Sequence, residues 1–118
     1  PHNSMNSIIT IVHNGNINNY KDLKKFLLNK NYKFYSETDT EIIANYLEYL
    51  ILIENLSIEE SISKLKNDLD GTWALLILYS HDKNIIYATR KGSPLLLSES
   101  ENYIMLSSET SGFLIVWV

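Results

Sequence analysis

Residues 12–16, Val-His-Asn-Gly-Asn, place an asparagine amide and a glycine N–H side by side directly after an apolar run. Acyl-transfer chemistry builds negative charge on a carbonyl oxygen. A preorganised pair of such donors can hold that charge, and losing one typically costs about 3–4 kcal/mol of transition-state stabilisation. Glycine lets the backbone turn its N–H toward a bound group. Asn14 and Gly15 are therefore candidate oxyanion donors, although Asn-Gly is also a favoured turn dipeptide, which would account for the pair structurally.

Asp39 is the second candidate. A carboxylate just ahead of a helix can bind an ammonium group such as an amino-acid α-amine, while helix capping and the macrodipole would by themselves explain an acid there. His13 adjoins the turn and is read as a structural histidine bonded to backbone. His2, His13 and His81 show no ligand-cluster spacing, so no metal is expected. The four glycines are isolated and form no phosphate loop, and no cofactor is expected.

Composition narrows the function classes. The 118 residues suit one domain, and 45% hydrophobic with 20% charged residues is a globular balance. A net charge of -4 offers no cationic surface for phosphate backbones, so nucleic acid is not an expected partner. A mean hydropathy of -0.11 argues against a membrane protein, and no run approaches the roughly 18 apolar residues of a span. The chain has no cysteine, which excludes disulfides, thiolate metal sites and a cysteine nucleophile within these residues and is compatible with a reducing compartment. The first residue is Pro1 and no signal-peptide pattern follows it, so the chain reads as a segment cut from something longer or as a processed product, and the glycosylation triplet Asn55-Leu56-Ser57 is not expected to be used. A catalytic role for Pro1 as a secondary amine would require it to be the natural terminus.

The elements that must position these residues follow from periodicity. Ile8–Val12 is apolar on both faces and predicts a covered strand that Asn14-Gly15 ends. Asn18 or Asn19 then caps a helix carrying Leu23, Phe26, Leu27 and Lys30 at helical spacing. "YKFYS" (32–36) alternates as a short strand, and Thr38-x-x-Glu41 matches a capping box before a helix with Ile43, Tyr46, Leu47 and Leu50 inward. Ser57-x-x-Glu60 matches another, opening a helix with Ile58, Ile62, Leu65 and Leu69 inward. "TWALLILYS" and "IIYATR" predict antiparallel strands joined by the turn 81–84; Gly92-Ser93-Pro94 turns into "LLLS", and the loop "ESEN" precedes a strand in "YIMLSS". The apolar tail "FLIVWV" needs cover, either as a last strand or against a missing sheet partner. The expected class is α+β, helices packed on a sheet.

"TIVHNGNINNYKDLKKFL", "SETDTEIIANYL", "DLDGTWALLIL" and "ATRKGSPLLLS" resemble, in order and spacing, the class II glutamine amidotransferase domains. "SETDTE" and "RKGSPLL" are most similar to the glutamine–fructose-6-phosphate aminotransferase (glucosamine-6-phosphate synthase) family, and "HNG" is shared with amidophosphoribosyltransferases. The resemblance runs from Pro1 to about Phe113. It implies an N-terminal-nucleophile hydrolase fold, an αββα sandwich of two antiparallel sheets between helical layers, of which residues 1–118 would be a partial domain. It implies that Asn14 and Gly15 form an oxyanion hole and that the Gly15 carbonyl and Asp39 hold the α-amine of L-glutamine. The ammonia released would pass to a sugar isomerase domain that converts fructose 6-phosphate to glucosamine 6-phosphate in a cytoplasmic, self-associating enzyme. The family's cysteine nucleophile, its arginine-containing carboxylate-binding segment and its isomerase domain have no counterpart here, and "FLIVWV" is unlike its continuation. The isolated chain is thus expected to be inactive and its open sheet edges prone to self-association, and a non-catalytic glutamine-binding module is the competing expectation.

Overall fold

The computed structural model of the chain describes residues 1–92 and the backbone of residues 104–108 and 113–117. Strand β1 (His2–Asn3) and strand β2 (Ile9–Ile17) precede three helices, α1 (Tyr20–Asn29), α2 (Asp39–Leu52) and α3 (Ile58–Asp68). Strands β3 (Gly71–Tyr79), β4 (Ile85–Lys91), β5 (Ile104–Ser108) and β6 (Phe113–Trp117) follow. All six strands form one antiparallel sheet in the order β1-β2-β3-β4-β6-β5. The expected α+β architecture is present as helices packed on one antiparallel sheet, and the second sheet of the expected αββα sandwich is not among the described residues. The tail 113–117 is a strand lying between β4 and β5, so it is covered along both edges. The turn expected at 92–94, the "LLLS" stretch and the "ESEN" loop lie outside the described residues, apart from Gly92.

Alternation along the strands separates two faces. Ile9 and Ile11 of β2, Trp73, Leu75 and Ile77 of β3 and Tyr87 of β4 are buried toward the helices. They meet Ile43, Leu47 and Leu50 of α2 and Ile62, Leu65 and Leu69 at the α3 end in one core. The opposite face of the sheet carries Val12 and Leu78, about half exposed.

β2 corrects the expected boundary: the strand does not end at Asn14-Gly15 but runs on to Ile17, paired with β3 as far as Gly71. Glycine explains this. Gly15 has φ +121°, and a Cβ there would lie 2.3 Å from the Thr72 carbonyl oxygen; at Gly71, φ +128°, a Cβ would lie 2.2 Å from the Asn16 oxygen. The pair of glycines lets two backbones approach where any side chain would force them apart.

Helix α2 is enclosed almost entirely, with every residue from Glu41 to Leu50 buried. Its polar side chains Glu41, Asn45 and Glu48 therefore face protein instead of water, and each captures a neighbouring segment. Glu48 accepts hydrogen bonds from Ser4 Oγ (2.8 Å), Asn6 N–H (2.9 Å) and Asn6 Nδ2 (3.0 Å). The Tyr32 hydroxyl is a further donor, kept protonated by burial and by that carboxylate, which push its pKa well up. Asn45 Oδ1 accepts from Met5 N–H at 2.7 Å.

Glu41 accepts from Tyr35 N–H at 2.6 Å and from Ser36 Oγ at 2.5 Å. Two expectations fail for this reason. Residues 32–36 are not a strand: Tyr32 N–H donates back to the Leu27 carbonyl at 3.0 Å, and the Tyr35 N–H and Ser36 hydroxyl go to Glu41. Thr38 is the N-cap residue, yet the expected box does not form: its hydroxyl pairs with Ser36 Oγ at 2.9 Å, and the Glu41 carboxylate is committed to residues 35–36. Asn19 likewise sits at the N-cap of α1 without capping it; its amide bonds the Asp68 carbonyl (2.8 Å) and Asp70 N–H (3.0 Å). The Ser57–Glu60 box, at the solvent surface, forms as expected with both bonds present.

Removing the Glu48 acceptor leaves several buried donors unmatched. Glu48→Ala is expected to lower unfolding free energy by about 3 kcal/mol, read from the urea midpoint, with Glu48→Gln losing less because it keeps shape and one acceptor. Ser57→Ala, which removes an exposed cap, is expected to cost about 1 kcal/mol. Equal losses at the two positions would contradict the buried role of Glu48.

Candidate functional site

The end of β2, the first residue of α1 and residues 37–40 at the start of α2 surround an open cavity of about 470 Å³. His13, Asn14, Gly15 and Asp39 all line it, so the residues singled out by type and spacing are brought together. Successive strand residues point to opposite faces. The His13 ring accordingly turns toward the helices, with its side chain 3% exposed, whereas Asn14 is exposed. Gly15 follows with φ +121° and lines the cavity with its backbone, while the space a Cβ would fill is taken by Thr72 and Trp73 of β3.

Asp39 is the first residue of α2, where the positive end of the helix dipole favours a carboxylate. Its side chain is 31% exposed, and Oδ1 lies 3.6 Å from His13 Nδ1. Thr40 Oγ1 lies 3.2 Å from the same nitrogen. The expectation that His13 bonds backbone is thus corrected: its partners are side chains at the mouth of α2. Burial lowers the His13 pKa below its ordinary value, and the nearby Asp39 carboxylate acts in the opposite direction.

The supports of this geometry are the contacts described above. Glu48 and Asn45 bind α2 to the loop between β1 and β2, and Glu41 binds the stretch that leads into α2. Asn18 N–H donates to the Asp70 carbonyl at 2.7 Å, and Asn19 ties the same corner, so the β2–α1 junction is held against the start of β3. The cavity therefore offers an open carboxylate at a helix N-terminus beside an unencumbered asparagine amide and a glycine backbone. That combination can bind an ammonium group at one end and a polarised carbonyl oxygen at the other. Among the described residues no group of three His, Asp or Glu could hold a metal. Sequence reasoning missed Thr40 and the contact of His13 with Asp39, which join different elements and leave no local spacing signal.

Comparison with known proteins agrees with this picture. The family model described as a glutamine amidotransferase domain matches residues 1–114. Glutamine–fructose-6-phosphate aminotransferase [isomerizing] of Caldanaerobacter subterraneus subsp. tengcongensis is 42% identical over 106 residues, covering 88% of this chain and 17% of the relative. The protein of the same name from Staphylococcus aureus is 41% identical over 114 residues, covering 97% and 19%. The chain thus spans about a fifth of the length of the curated relatives it matches. Among solved structures, glutamine phosphoribosylpyrophosphate amidotransferase from B. subtilis, complexed with ADP and GMP, superposes with a TM-score of 0.59 at 20% identity, over 92% of this chain and 21% of that one. A structure described as the allosteric regulatory enzyme of purine biosynthesis gives 0.60 at 18% identity, with the same coverages. The fold is that of these amidotransferases, and the chain belongs to the glutamine amidotransferase domain family.

Proposed function

We propose that this domain takes part in hydrolysing the side-chain amide of L-glutamine, within a cytoplasmic protein that uses the ammonia to make glucosamine 6-phosphate from fructose 6-phosphate. The observation that carries the reading is the convergence of Asn14, Gly15 and Asp39 on one cavity. The aminotransferase is preferred over a phosphoribosyl-transferring enzyme because relatives of the former are 41–42% identical, against 18–20% for the structural neighbours.

Each residue has a physical role in that reaction. A nucleophile supplied from outside these 118 residues, which contain no cysteine, attacks the amide carbon of the glutamine side chain. The carbonyl oxygen gains the displaced electron pair, and the Asn14 amide and Gly15 N–H donate to it. Collapse of the tetrahedral species, with the nucleophile's proton passed to the amide nitrogen, expels ammonia, and water then attacks the acyl carbon, displacing the nucleophile and releasing glutamate. The Asp39 carboxylate and the Gly15 carbonyl hold the α-ammonium, fixing the distance between the amino-acid end and the reacting amide. A non-catalytic glutamine-binding module would contact the ligand through Asn14, Gly15 and Asp39 as well, but would use Asn14 for ground-state binding alone.

That difference sets the test, made by glutaminase kinetics on the full-length protein. Asn14→Ala is expected to lower kcat by a factor of about 10²–10³ with little change in KM for glutamine. Asp39→Ala is expected to raise KM by an order of magnitude or more, about what the loss of a charge-assisted contact implies. An unchanged kcat in Asn14→Ala removes the oxyanion role, and an unchanged KM in Asp39→Ala removes the amine-binding role.

A further inference from the structure

His13 is buried at the floor of the cavity and has no part in the reaction as written above. Its side chain is 3% exposed, and its Nε2 is buried with no hydrogen-bond partner among the described residues. All its polar contacts are on the other nitrogen: Nδ1 stands 3.2 Å from Thr40 Oγ1 and 3.6 Å from Asp39 Oδ1.

These contacts select between the two neutral tautomers. With the proton on Nε2, the Nδ1 lone pair could accept from the Thr40 hydroxyl but would also face the Asp39 carboxylate, and a buried N–H donor would have no acceptor among the described residues. With the proton on Nδ1, that N–H has the Thr40 oxygen within hydrogen-bond distance and the Asp39 carboxylate just beyond it, and the unmatched atom is only an acceptor. Orphaned buried N–H groups are the rarer and costlier kind. Burial of the ring also disfavours the imidazolium form, the direction in which its pKa is displaced.

We infer that His13 is a positioning residue for Asp39, a neutral imidazole whose Nδ1–H orients the carboxylate through Oδ1 and leaves its other oxygen for the ammonium of an amino-acid ligand. The inference rests on the glutamine reading for the identity of that ligand, and on the site geometry alone for the tautomer. Neutrality matters for function: an imidazolium at this place would compete with the ligand's ammonium for the same carboxylate, whereas a neutral donor fixes the acid without satisfying its charge.

The chemistry of amide side chains makes the idea testable. Asparagine at this position puts an N–H close to where Nδ1 stands, and glutamine puts one near Nε2. In the full-length protein, His13→Gln is expected to raise KM for glutamine about tenfold with kcat within about twofold of the parent, and His13→Asn to restore KM to near the parent value. A residue that merely fills space would give the same result for both variants, and that outcome overturns the inference. So does a fall in kcat at unchanged KM. If Asp39→Ala leaves KM unaltered, the glutamine reading fails first. The tautomer is then judged separately by imidazole ¹⁵N spectra of the full-length protein labelled at histidine. Protonated Nδ1 with bare Nε2 supports the inference, and the reverse assignment sinks it.

Discussion

A buried carboxylate has to find donors. Glu41 and Glu48 sit on the enclosed helix α2, and among the described residues neither forms an ion pair. Their partners are N–H and O–H groups drawn from two chain segments, 4–6 on one side and 32–36 on the other. An unsatisfied charge at that depth would cost several kcal/mol, so these segments are not free to lie elsewhere. The loop between β1 and β2 is thereby bound to the middle of α2, and the stretch leading into α2 is bound to its first turn. The orientation of Asp39 toward the strand end is a consequence of these anchors, even though none of them touches the cavity's carboxylate.

A second constraint acts between the strands. Gly15 and Gly71 permit backbone contact where β2 and β3 finish, which keeps the ladder intact through the stretch that supplies the site. The site is therefore built on a rigid strand and a helix start, elements that hold side chains more precisely than a loop does. Trp73, fully buried opposite Gly15, fills the space beneath. Small and large residues complement each other across the register here, as close packing requires.

How far the sequence discloses this depends on which face each residue occupies. Ile58, Ile62, Leu65 and Leu69 repeat at helical spacing beside a solvent-exposed capping box, and α3 forms as that pattern predicts. The doubly apolar β3 is also legible, since alternation cannot show when both faces are largely apolar. Glu41, Asn45 and Glu48 mislead because polar residues at positions i, i+4 and i+7 normally mark the wet side of a helix, and α2 has no wet side there. Residues 32–36 alternate like a strand, but their donors are claimed by the end of α1 and by Glu41 and Glu48 of α2. Of the site, Asn14, Gly15 and Asp39 stand out through residue type and family resemblance. The meeting of His13 with Thr40, 27 positions apart, needs the packing of α2 against β2 before it exists at all.

The alternation of β2 also governs which kinds of change this domain can accumulate. His13 serves the helical side of the sheet and Asn14 the other, so the site reads both parities of one strand. Inserting or deleting one residue between Ile9 and His13 would exchange the two faces, sending the imidazole outward and the amide into the core. The turn 80–84 and the connection at 53–57 carry no such parity, and lengthening them costs only a slowly growing closure entropy. Divergence among such domains is therefore expected to pile up as length variation in these connections, with β2 altered by substitution alone.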